Sequence, residues 1–556
     1  MKKAITVLLT LCLLLTALTP AFARSAAGLR VAVASDIHYN LPEETFDADI
    51  DDPIFYYANR RAAMENESGA ILDAFLRQCA DDAVDYVLIP GDMADNGRST
   101  PAEHAAVRDK LLAFERETGI EVFVIDGNHD LGEKGEYCAF GMEEFKANYA
   151  LLGYDHALET VSDDCSYTAD LGEKYRLIAL DSCDYSKSTE DGMTLKKVNW
   201  VVRQAKQAYA DGRYPILMMH HNLLDHLPMQ RIISRNFIIR NHLATANRFA
   251  DAGIRLALTG HEHCSDAAEH ISPAGSRICD LTTTSLTMYP LAYRVIDFTD
   301  DAIAYASRKL EKLDTAALKA EVPAFTDAQL AAMDADLDAY ARQFAVKGIT
   351  YRLQLQLTME KIGIAPGEPF YDLVNAATRS LDELLRLPLY GEGSVSEIAA
   401  RYHIEIPQTD YETGWDLAAS LVTEHYAGGE AYEVDDPRVT ALLRTASLIL
   451  KFVPDQTADA LLSDAGKAVA DALTGQDVKA LCRRLFGGVT PGEYLIAAIL
   501  SPIIYGFVMD DDAPDNDGTL HGYGADDRGA NLLEKFRAFF ANLKKMFENI
   551  FRILHI

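Results

Sequence analysis

VFVIDGNHD, residues 122–130, is a short apolar run that ends abruptly in polar residues. Four apolar residues followed closely by Gly127 are typical of a buried strand in a sheet that is covered on both faces. The polar side chains then lie just past the carboxyl end of the strand, where open α/β sheets place their ligands. Asn128, His129 and Asp130 all belong to residue types that bind metals or transfer protons. The competing interpretation is a polar turn after a strand, because Gly and Asn are favoured in turns.

Four more apolar runs end in residue types that bind metals, which favours one shared site over unrelated turns. The runs 29–35, 86–90, 215–219 and 254–259 lead into DIH (36–38), GD (91–92), HHN (220–222) and GHEH (260–263). The candidate metal ligands are therefore Asp36, His38, Asp92, Asn128, His220, His261 and His263. Their nitrogen and oxygen donors, with no thiolate among them, suit Zn, Mn or Fe rather than a structural cysteine site.

The same part of the chain alternates strands with helices. Helical spacing of apolar residues predicts helices over 69–81, 101–119 and 195–209, between the apolar runs. This alternation indicates an α/β domain built in layers. Residues 280–298 are predicted as a closing β region, so we expect the first domain to end near Lys309.

The order of the five blocks, D-x-H, G-D, G-N-H-D, an isolated His and G-H-x-H, resembles the calcineurin-like metallophosphoesterase superfamily. The blocks span residues 36–263, a little under half of the chain. The resemblance implies a layered β-sandwich flanked by helices, with two divalent metal ions of Mn, Fe or Zn. It implies a first ion held by Asp36, His38, Asp92 and His263. It implies a second ion held by Asp92, Asn128, His220 and His261, so that Asp92 would bridge the two.

The resemblance also implies roles for residues beside the ligands. His129 matches the family's catalytic histidine, and Asp130 matches the acid that orients it. Where the family has a His-His pair, the first is usually the ligand, so His220 is assigned to the metal and His221 to a supporting or structural role. His104, near the start of a predicted helix, could touch the site or could simply begin that helix.

The implied activity is hydrolysis of a small phosphate mono- or diester, by attack of a hydroxide that the two ions share. At this point His129 could either protonate the leaving group or bind a phosphoryl oxygen. The alternative is a non-catalytic, metal-binding protein that recognises envelope polymers. We favour the enzyme, because a scaffold freed from catalysis is expected to lose ligands or the catalytic histidine, and here every block is intact.

The start of the chain predicts secretion. Met1-Lys2-Lys3, the apolar run 4–18 and the sequence AFA at 21–23 have the pattern of a signal peptide over residues 1–23. Its removal takes away two lysines and no acid, so the net charge of −32 becomes −34. So negative a chain repels nucleic acid polymers, and we expect no such partner. A small phosphate ester is still compatible, because two divalent cations would dominate the local field.

The second part of the chain differs from the first. We predict a catalytic domain over 24–309, a linker over 310–325 and a mostly α-helical domain over 326–556, where strand signals are scarce. The Asp-rich stretch 510–517 fails the EF-hand pattern and is expected to be a solvated turn. Residues 531–556 form a basic amphipathic pattern on an acidic protein. That helix is expected either to pack on the helical domain, which we favour, or to lie on a membrane surface in the cell envelope.

Overall fold

The computed structural model describes most of the chain up to residue 448 and one short segment beyond it. The described residues are 28–41, 62–94, 101–131, 140–184, 191–226, 230, 235–359, 365–367, 371–429, 436–448 and 514–523. The predicted signal peptide, 1–23, and the basic amphipathic stretch, 531–556, lie outside them. The strands are β1 Leu29–Val33, β2 Tyr86–Pro90, β3 Glu121–Ile125, β4 Ala157–Thr160, β5 Tyr167–Leu171, β6 Tyr175–Leu180, β7 Tyr214–Met219, β8 Leu256–Thr259, β9 Asp266–Ile271, β10 Arg277–Thr282, β11 Ala292–Phe298, β12 Ala302–Lys309 and β13 Asp517–His521. The helices are α1 Ser68–Asp81, α2 Pro101–Thr118, α3 Met142–Asn148, α4 Leu195–Ala210, α5 His242–Asp251, α6 Thr315–Glu321, α7 Asp327–Ala335, α8 Leu337–Gln356, α9 Tyr371–Arg386, α10 Val395–Ala400, α11 Gly414–Tyr426 and α12 Pro437–Ser447.

The strands form two sheets that face each other. Within the described residues the first sheet has the order β13-β12-β11-β1-β2-β3, and the second has the order β4-β5-β6-β7-β8-β10-β9. Strands β1, β2 and β3 run parallel, as do β6, β7, β8 and β10. The remaining neighbours are antiparallel. Strand β2 contacts β7, and β3 contacts β6, so the parallel parts of the two sheets lie against each other.

The parallel strands at the centre of each sheet are buried on both faces, which explains why they read as unbroken apolar runs. In β6, Leu177 and Ala179 belong to the core between the sheets, whereas Ile178 and Leu180 belong to a second core beneath α4 and α5. Because successive side chains of a strand point to opposite faces, one run of apolar residues fills both cores. The predicted fold class, an α/β layered sandwich flanked by helices and followed by a mostly helical region, is confirmed.

The helical region packs directly on the sheets. The core between the sheets continues without a break into α6, α7, α8 and α11, through Leu318, Met333, Phe344 and Ala419. The segment 310–325, which we predicted as a linker, carries α6 and buries Leu318 and Phe325, so it is a packed part of the structure. The division of the chain into domains at these positions stays a prediction. None of the helices in the described ranges is long and apolar enough to cross a bilayer.

The sequence analysis missed strand β13. This strand lies beyond α12 in sequence and pairs with β12, from Ala306 opposite Asp517 to Ala302 opposite His521. Asp515, placed by sequence in a solvated acidic turn, is only 9% exposed. Its carbonyl oxygen accepts a hydrogen bond of 2.6 Å from the fully buried Arg294 of β11. A five-residue strand containing Gly518 has little apolar pattern of its own, so only its pairing partner reveals it.

A buried ion cluster braces the loops at the edge of the second sheet. His226 lies between two carboxylates, with Nδ1 2.7 Å from Asp266 Oδ2 and Nε2 3.1 Å from Asp280 Oδ2. Burial lowers the pKa of His226, but Asp280 and Asp266 outweigh it and hold that pKa well above its ordinary value. Asp280 also accepts hydrogen bonds from Thr259, Leu223 and Leu224, so the imidazolium holds together the loops that follow β7 and β8.

Removal of strand β13 is expected to destabilise the whole sandwich. A chain that ends at residue 513 loses the β13 ladder and the Asp515 carbonyl that accepts from Arg294 Nη1, which costs about 2–5 kcal/mol of unfolding free energy. The matched control ends at residue 523 and keeps the strand. Thermal and urea unfolding of the two chains measures the difference, and equal stabilities would show that the sheet does not need β13.

Substitution His226→Gln should cost about 3–5 kcal/mol, because it leaves two buried carboxylates without their cation. This loss of unfolding free energy should be fully present below a pH of about 6.5. It should shrink as the pH rises through the raised pKa of His226, because His226 of the wild type then loses its own positive charge. His156 also lies between two carboxylates, Glu121 and Asp155, but its side chain is 45% exposed. We therefore expect His156→Gln to change stability by less than about 0.5 kcal/mol. Urea unfolding at several pH values checks both.

Candidate metal centre

All seven predicted ligands lie just past the carboxyl ends of parallel strands. They follow β1 (Asp36, His38), β2 (Asp92), β3 (Asn128), β7 (His220) and β8 (His261, His263). Cross-sheet hydrogen bonds fix the loops against each other: His261 N donates to Asp36 Oδ2 at 3.0 Å, and His220 Nδ1 donates to the Pro90 carbonyl at 2.9 Å. The two sheets thus bring residues that are more than 200 positions apart in sequence to a single edge.

The backbone at this edge is strained. Five of the seven residues have left-handed conformations, namely Asp36 (φ 52°), His38 (φ 47°), Asp92 (φ 53°), His261 (φ 68°) and His263 (φ 64°). Side chains other than glycine rarely adopt this region, at a cost of about 1–3 kcal/mol each. Two positions near the candidate ligands require glycine, because other parts of the chain approach their Cα atoms closely. A Cβ on Gly127 would collide with the Asp92 side chain, and one on Gly260 would collide with Asp36 and Ser35.

The first group of ligand atoms consists of Asp36, His38, His263 and Asp92. His263 Nε2 is 3.2 Å from Asp36 Oδ1 and 3.1 Å from His38 Nε2. His38 Nε2 is in turn 3.7 Å from Asp36 Oδ1 and 3.8 Å from Asp92 Oδ2. Metal–ligand bonds of about 2.0–2.2 Å place neighbouring ligand atoms about 3 Å apart. These separations therefore fit a cation held among the four side chains.

The second group consists of Asp92, Asn128, His220 and His261. His220 Nε2 is 3.3 Å from Asp92 Oδ2 and 2.9 Å from Asn128 Oδ1. The donor atoms of Asp92, His220 and His261 all lie within 4.8 Å of one another. Oxygen Oδ2 of Asp92 faces both groups, whereas its Oδ1 accepts a hydrogen bond of 2.8 Å from the His129 backbone. The geometry therefore places the Asp92 carboxylate where a bridging ligand would be.

Several buried atoms at this site have no well-aligned hydrogen bond, as expected for a metal-binding shell. They include Asp36 Oδ1, Asp92 Oδ2 and His261 Nε2. Buried polar atoms in proteins are otherwise almost always hydrogen-bonded, because leaving them unsatisfied costs about 1–3 kcal/mol. Here they converge with imidazole nitrogens instead. The residues present therefore fit a pair of divalent cations.

The charged side chains around Asp92 keep its carboxylate ionised, which favours cation binding at the site. Burial raises the pKa of Asp92, but His220, His129 and His38 outweigh it and hold that pKa well below its ordinary value. Burial lowers the pKa of His220, yet Asp92 and Asp36 raise it to about 10. In the metal-free chain His220 therefore carries the proton that balances Asp92. A divalent ion would displace this proton, so metal uptake releases protons.

His129 and Asp130 have different surroundings. The His129 ring is partly exposed and lies beside the first group, with its centroid 5.0 Å from that of His38. Asp130 is fully buried, and its two carboxylate oxygens accept hydrogen bonds from Ala94 N at 3.1 Å and Gly127 N at 2.8 Å. These bonds tie the loop after β3 to the loop after β2. That Asp130 orients His129 stays a prediction.

The two remaining histidines of interest support the structure around the site. His221 shares two hydrogen bonds with the Ser182 hydroxyl, and its ring lies 4.5 Å from that of His261. His104 is stacked on Phe140 at 4.0 Å, is hydrogen-bonded to the Tyr149 hydroxyl at 2.8 Å, and has its Nε2 3.2 Å from the Asp130 carbonyl in the loop after β3. Burial lowers the pKa of His104 to about 3, so it is a neutral core residue.

A third set of metal-binding residue types lies behind β3. The side chains of Asp126, Asp181 and Cys183 are close together and buried. Lys197 Nζ is 3.3 Å from Asp181 Oδ1, and the backbone N–H groups of Cys165 and Cys183 donate to the same carboxylate. A lysine therefore already supplies the positive charge, which gives this set a structural role.

Sequence reasoning missed three residues that contact or influence the site. Asn222, the third residue of HHN, donates to the Gly260 carbonyl at 3.1 Å and so braces the GHEH loop. Met288 places its sulfur 3.1 Å from His263 Nδ1. Arg352 of α8 brings a positive charge close enough to His263 to lower the pKa of that imidazole, an effect that adds to burial. Only Asn222 had a sequence signal, its place within a predicted block.

Comparison with known proteins agrees with the five blocks. A family model described as calcineurin-like phosphoesterase matches residues 29–265. Similar solved structures include a dimetal phosphatase from Danio rerio (14% identity, TM-score 0.38, covering 50% of this chain and 96% of that one). They also include GAP50, the anchor in the inner membrane complex of Plasmodium (14% identity, TM-score 0.29, 54% and 95% coverage). A conserved uncharacterized protein from Streptococcus pneumoniae TIGR4, a predicted phosphoesterase, is similar as well (13% identity, TM-score 0.22, 52% and 92% coverage).

With TM-scores below 0.5, these likenesses carry no argument about activity. The family match covers the same residues that supply both groups of ligand atoms. The match to the calcineurin-like phosphoesterase family over residues 29–265 supports a metal-dependent phosphoesterase.

Proposed function

We propose that the protein is a secreted phosphoesterase with a dinuclear metal centre that hydrolyses a small phosphate mono- or diester. The observation that carries the proposal is the position of Asp92, whose Oδ2 faces His38 at 3.8 Å and His220 at 3.3 Å. One carboxylate oxygen lies between two sets of neutral or anionic donors, which is the arrangement that two adjacent cations require. Two divalent ions held there would supply a water of lowered pKa and would offset negative charge on the phosphoryl oxygens.

The chain's own residues would position the substrate and handle the proton. His129 is the partly exposed imidazole beside the first group, and its backbone N–H is fixed by Asp92. A histidine that is held in place and still reachable is suited to deliver a proton to the leaving oxygen or to bind a phosphoryl oxygen. Among the residues of the first group, the His263 side chain is 22% exposed, compared with 3% for His38. We therefore place the substrate entrance on the side of His263 and His129.

Charge supports a small substrate over a polymer. The net charge of −32 repels a long polyanion such as nucleic acid, whereas the cations would attract one phosphate group at short range. Arg352 adds a positive charge from the helical region beside His263. Secretion is proposed from the N-terminal signal pattern in residues 1–23 alone.

Substitution of the bridging or the catalytic residue should abolish most activity. We expect Asp92→Asn to lower turnover of bis(nitrophenyl) phosphate or nitrophenyl phosphate by at least about 100-fold, because both ions depend on it and they supply several kcal/mol. We expect His129→Ala to lower it by about 10²–10⁴-fold while the chain still binds metal. His156→Ala, on the exposed surface, is the control. Near-normal turnover in either site variant contradicts the assignment.

Metal content and substrate preference are measured on the same preparations. Two ions per chain with diester turnover support a phosphodiesterase, and monoester turnover alone supports a phosphatase. Two ions with turnover of neither ester favour the non-catalytic, metal-binding alternative or a more selective enzyme. A chain that takes up no metal when Mn, Zn or Fe is added contradicts the site itself.

Contact of residues 531–556 with the cell envelope is a separate proposal. Its basis is the sequence pattern, in which Lys535, Arg537, Lys544, Lys545 and Arg552 lie among regularly spaced phenylalanines and leucines. Such a face attracts anionic lipid. We expect a chain that lacks 531–556 to lose binding to vesicles of anionic phospholipid and to keep ester turnover. Unchanged vesicle binding rejects the contact and favours packing of this segment on the protein.

A further inference from the structure

The two metal positions differ in what supports their histidines. At the second position, His220 is fully buried and donates from Nδ1 to the Pro90 carbonyl at 2.9 Å. At the first position, the His263 side chain is 22% exposed, and its Nδ1 lies 3.1 Å from the sulfur of Met288. A carbonyl oxygen is a strong acceptor and a thioether sulfur a weak one. Histidines that bind metals commonly donate their other ring N–H to a carboxylate or a carbonyl, so a thioether here is unusual.

The direction of the hydrogen bond between His263 and Met288 follows from the role of the other ring nitrogen of His263. His263 Nε2 faces Asp36 Oδ1 and His38 Nε2, so this nitrogen must offer its lone pair to bind a cation. The proton of the neutral ring then sits on Nδ1 and points at Met288 Sδ. The thioether therefore selects the tautomer that can bind metal and sets the angle of the ring.

Met288 is itself held firmly in place. It is 1% exposed and pairs with Ala63 as an isolated β-bridge. Its N–H donates to the Ser285 carbonyl at 3.2 Å, and its carbonyl accepts from Leu291 N at 2.7 Å. The same loop braces the first position elsewhere, since the Ser285 hydroxyl donates to the Asp36 carbonyl at 2.8 Å. The sulfur is thus a fixed part of the site's support.

We propose that Met288 is a positioning residue for His263 and that its weak acceptor makes His263 bind the first ion less tightly than a histidine supported by a carbonyl would. The inference rests on the proposed dinuclear centre. A weak acceptor adds less basicity to the coordinating nitrogen than a carbonyl does, and the exposed ring is easier to displace.

The test is stepwise Mn²⁺ binding to the metal-depleted full chain, followed by calorimetry. Wild type should show two events, and His263→Ala should remove only one of them, which assigns that event to the first position. Met288→Leu keeps the volume and removes the acceptor, so the affinity of the first position should fall by about 10- to 100-fold while that of the second stays unchanged. Met288→Gln supplies an amide oxygen and should bind the ion at the first position better than Met288→Leu does.

The control is Met333→Leu in α7, a buried methionine remote from the ligands, which should leave both events unchanged. Thermal unfolding of the metal-free variants separates a binding effect from a folding defect. An unchanged affinity of the first position in Met288→Leu, or an equal loss of affinity at both positions, would overturn the inference and leave the dinuclear centre standing. No metal uptake by the wild type would overturn the dinuclear centre and the inference together.

Discussion

The carboxylate of Asp92 is the interaction on which the rest of the site depends. Its Oδ1 holds the backbone of the loop after β3, and its Oδ2 faces imidazoles from both sheets. Burial alone would favour the neutral acid, yet the surrounding histidines keep the group charged. A fully buried anion in a left-handed backbone is costly unless a cation compensates it. The architecture is therefore best understood as a scaffold that holds this charge in place.

Strained backbone and buried polar groups are concentrated at the edge of the sheets that carries the ligand loops. The packed cores of the same sheets compensate their energetic cost. The parallel strands are buried on both faces and fill two cores, which fixes the loops that follow them. Behind the second sheet, the imidazolium of His226 satisfies Asp266 and Asp280 and so holds the loops after β7 and β8. The ligand loops can adopt unfavourable backbone conformations because the packed strands on either side hold their ends in fixed positions.

The helical region packs directly against the sandwich. Its helices share the central core, the last residue of α11 accepts a hydrogen bond from Ser265 at 3.1 Å, and β13 extends the first sheet. Ser265 lies two residues after His263, so the helical region is attached directly to a ligand loop. The positive charge of Arg352, on α8, also lowers the pKa of His263, in addition to burial. The region therefore contributes to the support and the charge of the metal centre, although its residues supply none of the predicted ligands.

Much of this protein was decided by local sequence. Apolar runs that end in metal-binding residue types located β1, β2, β3, β7 and β8, because a strand buried on both faces must be apolar along its length and its carboxyl end must carry the polar loop. Helical spacing located α1, α2 and α4 to within a residue or two.

Tertiary structure decided what depends on distant partners. The β13 strand has no pattern of its own and exists because β12 offers an open edge. Three features of the site bring together residues that are distant in sequence, and no sequence pattern predicts them. They are the thioether beside His263, the ion cluster around His226 and the charge of Arg352. Sequence could therefore name the candidate ligands, because each follows the carboxyl end of an apolar run, but the environment that sets their charge arises only when the two sheets and the helices close around them.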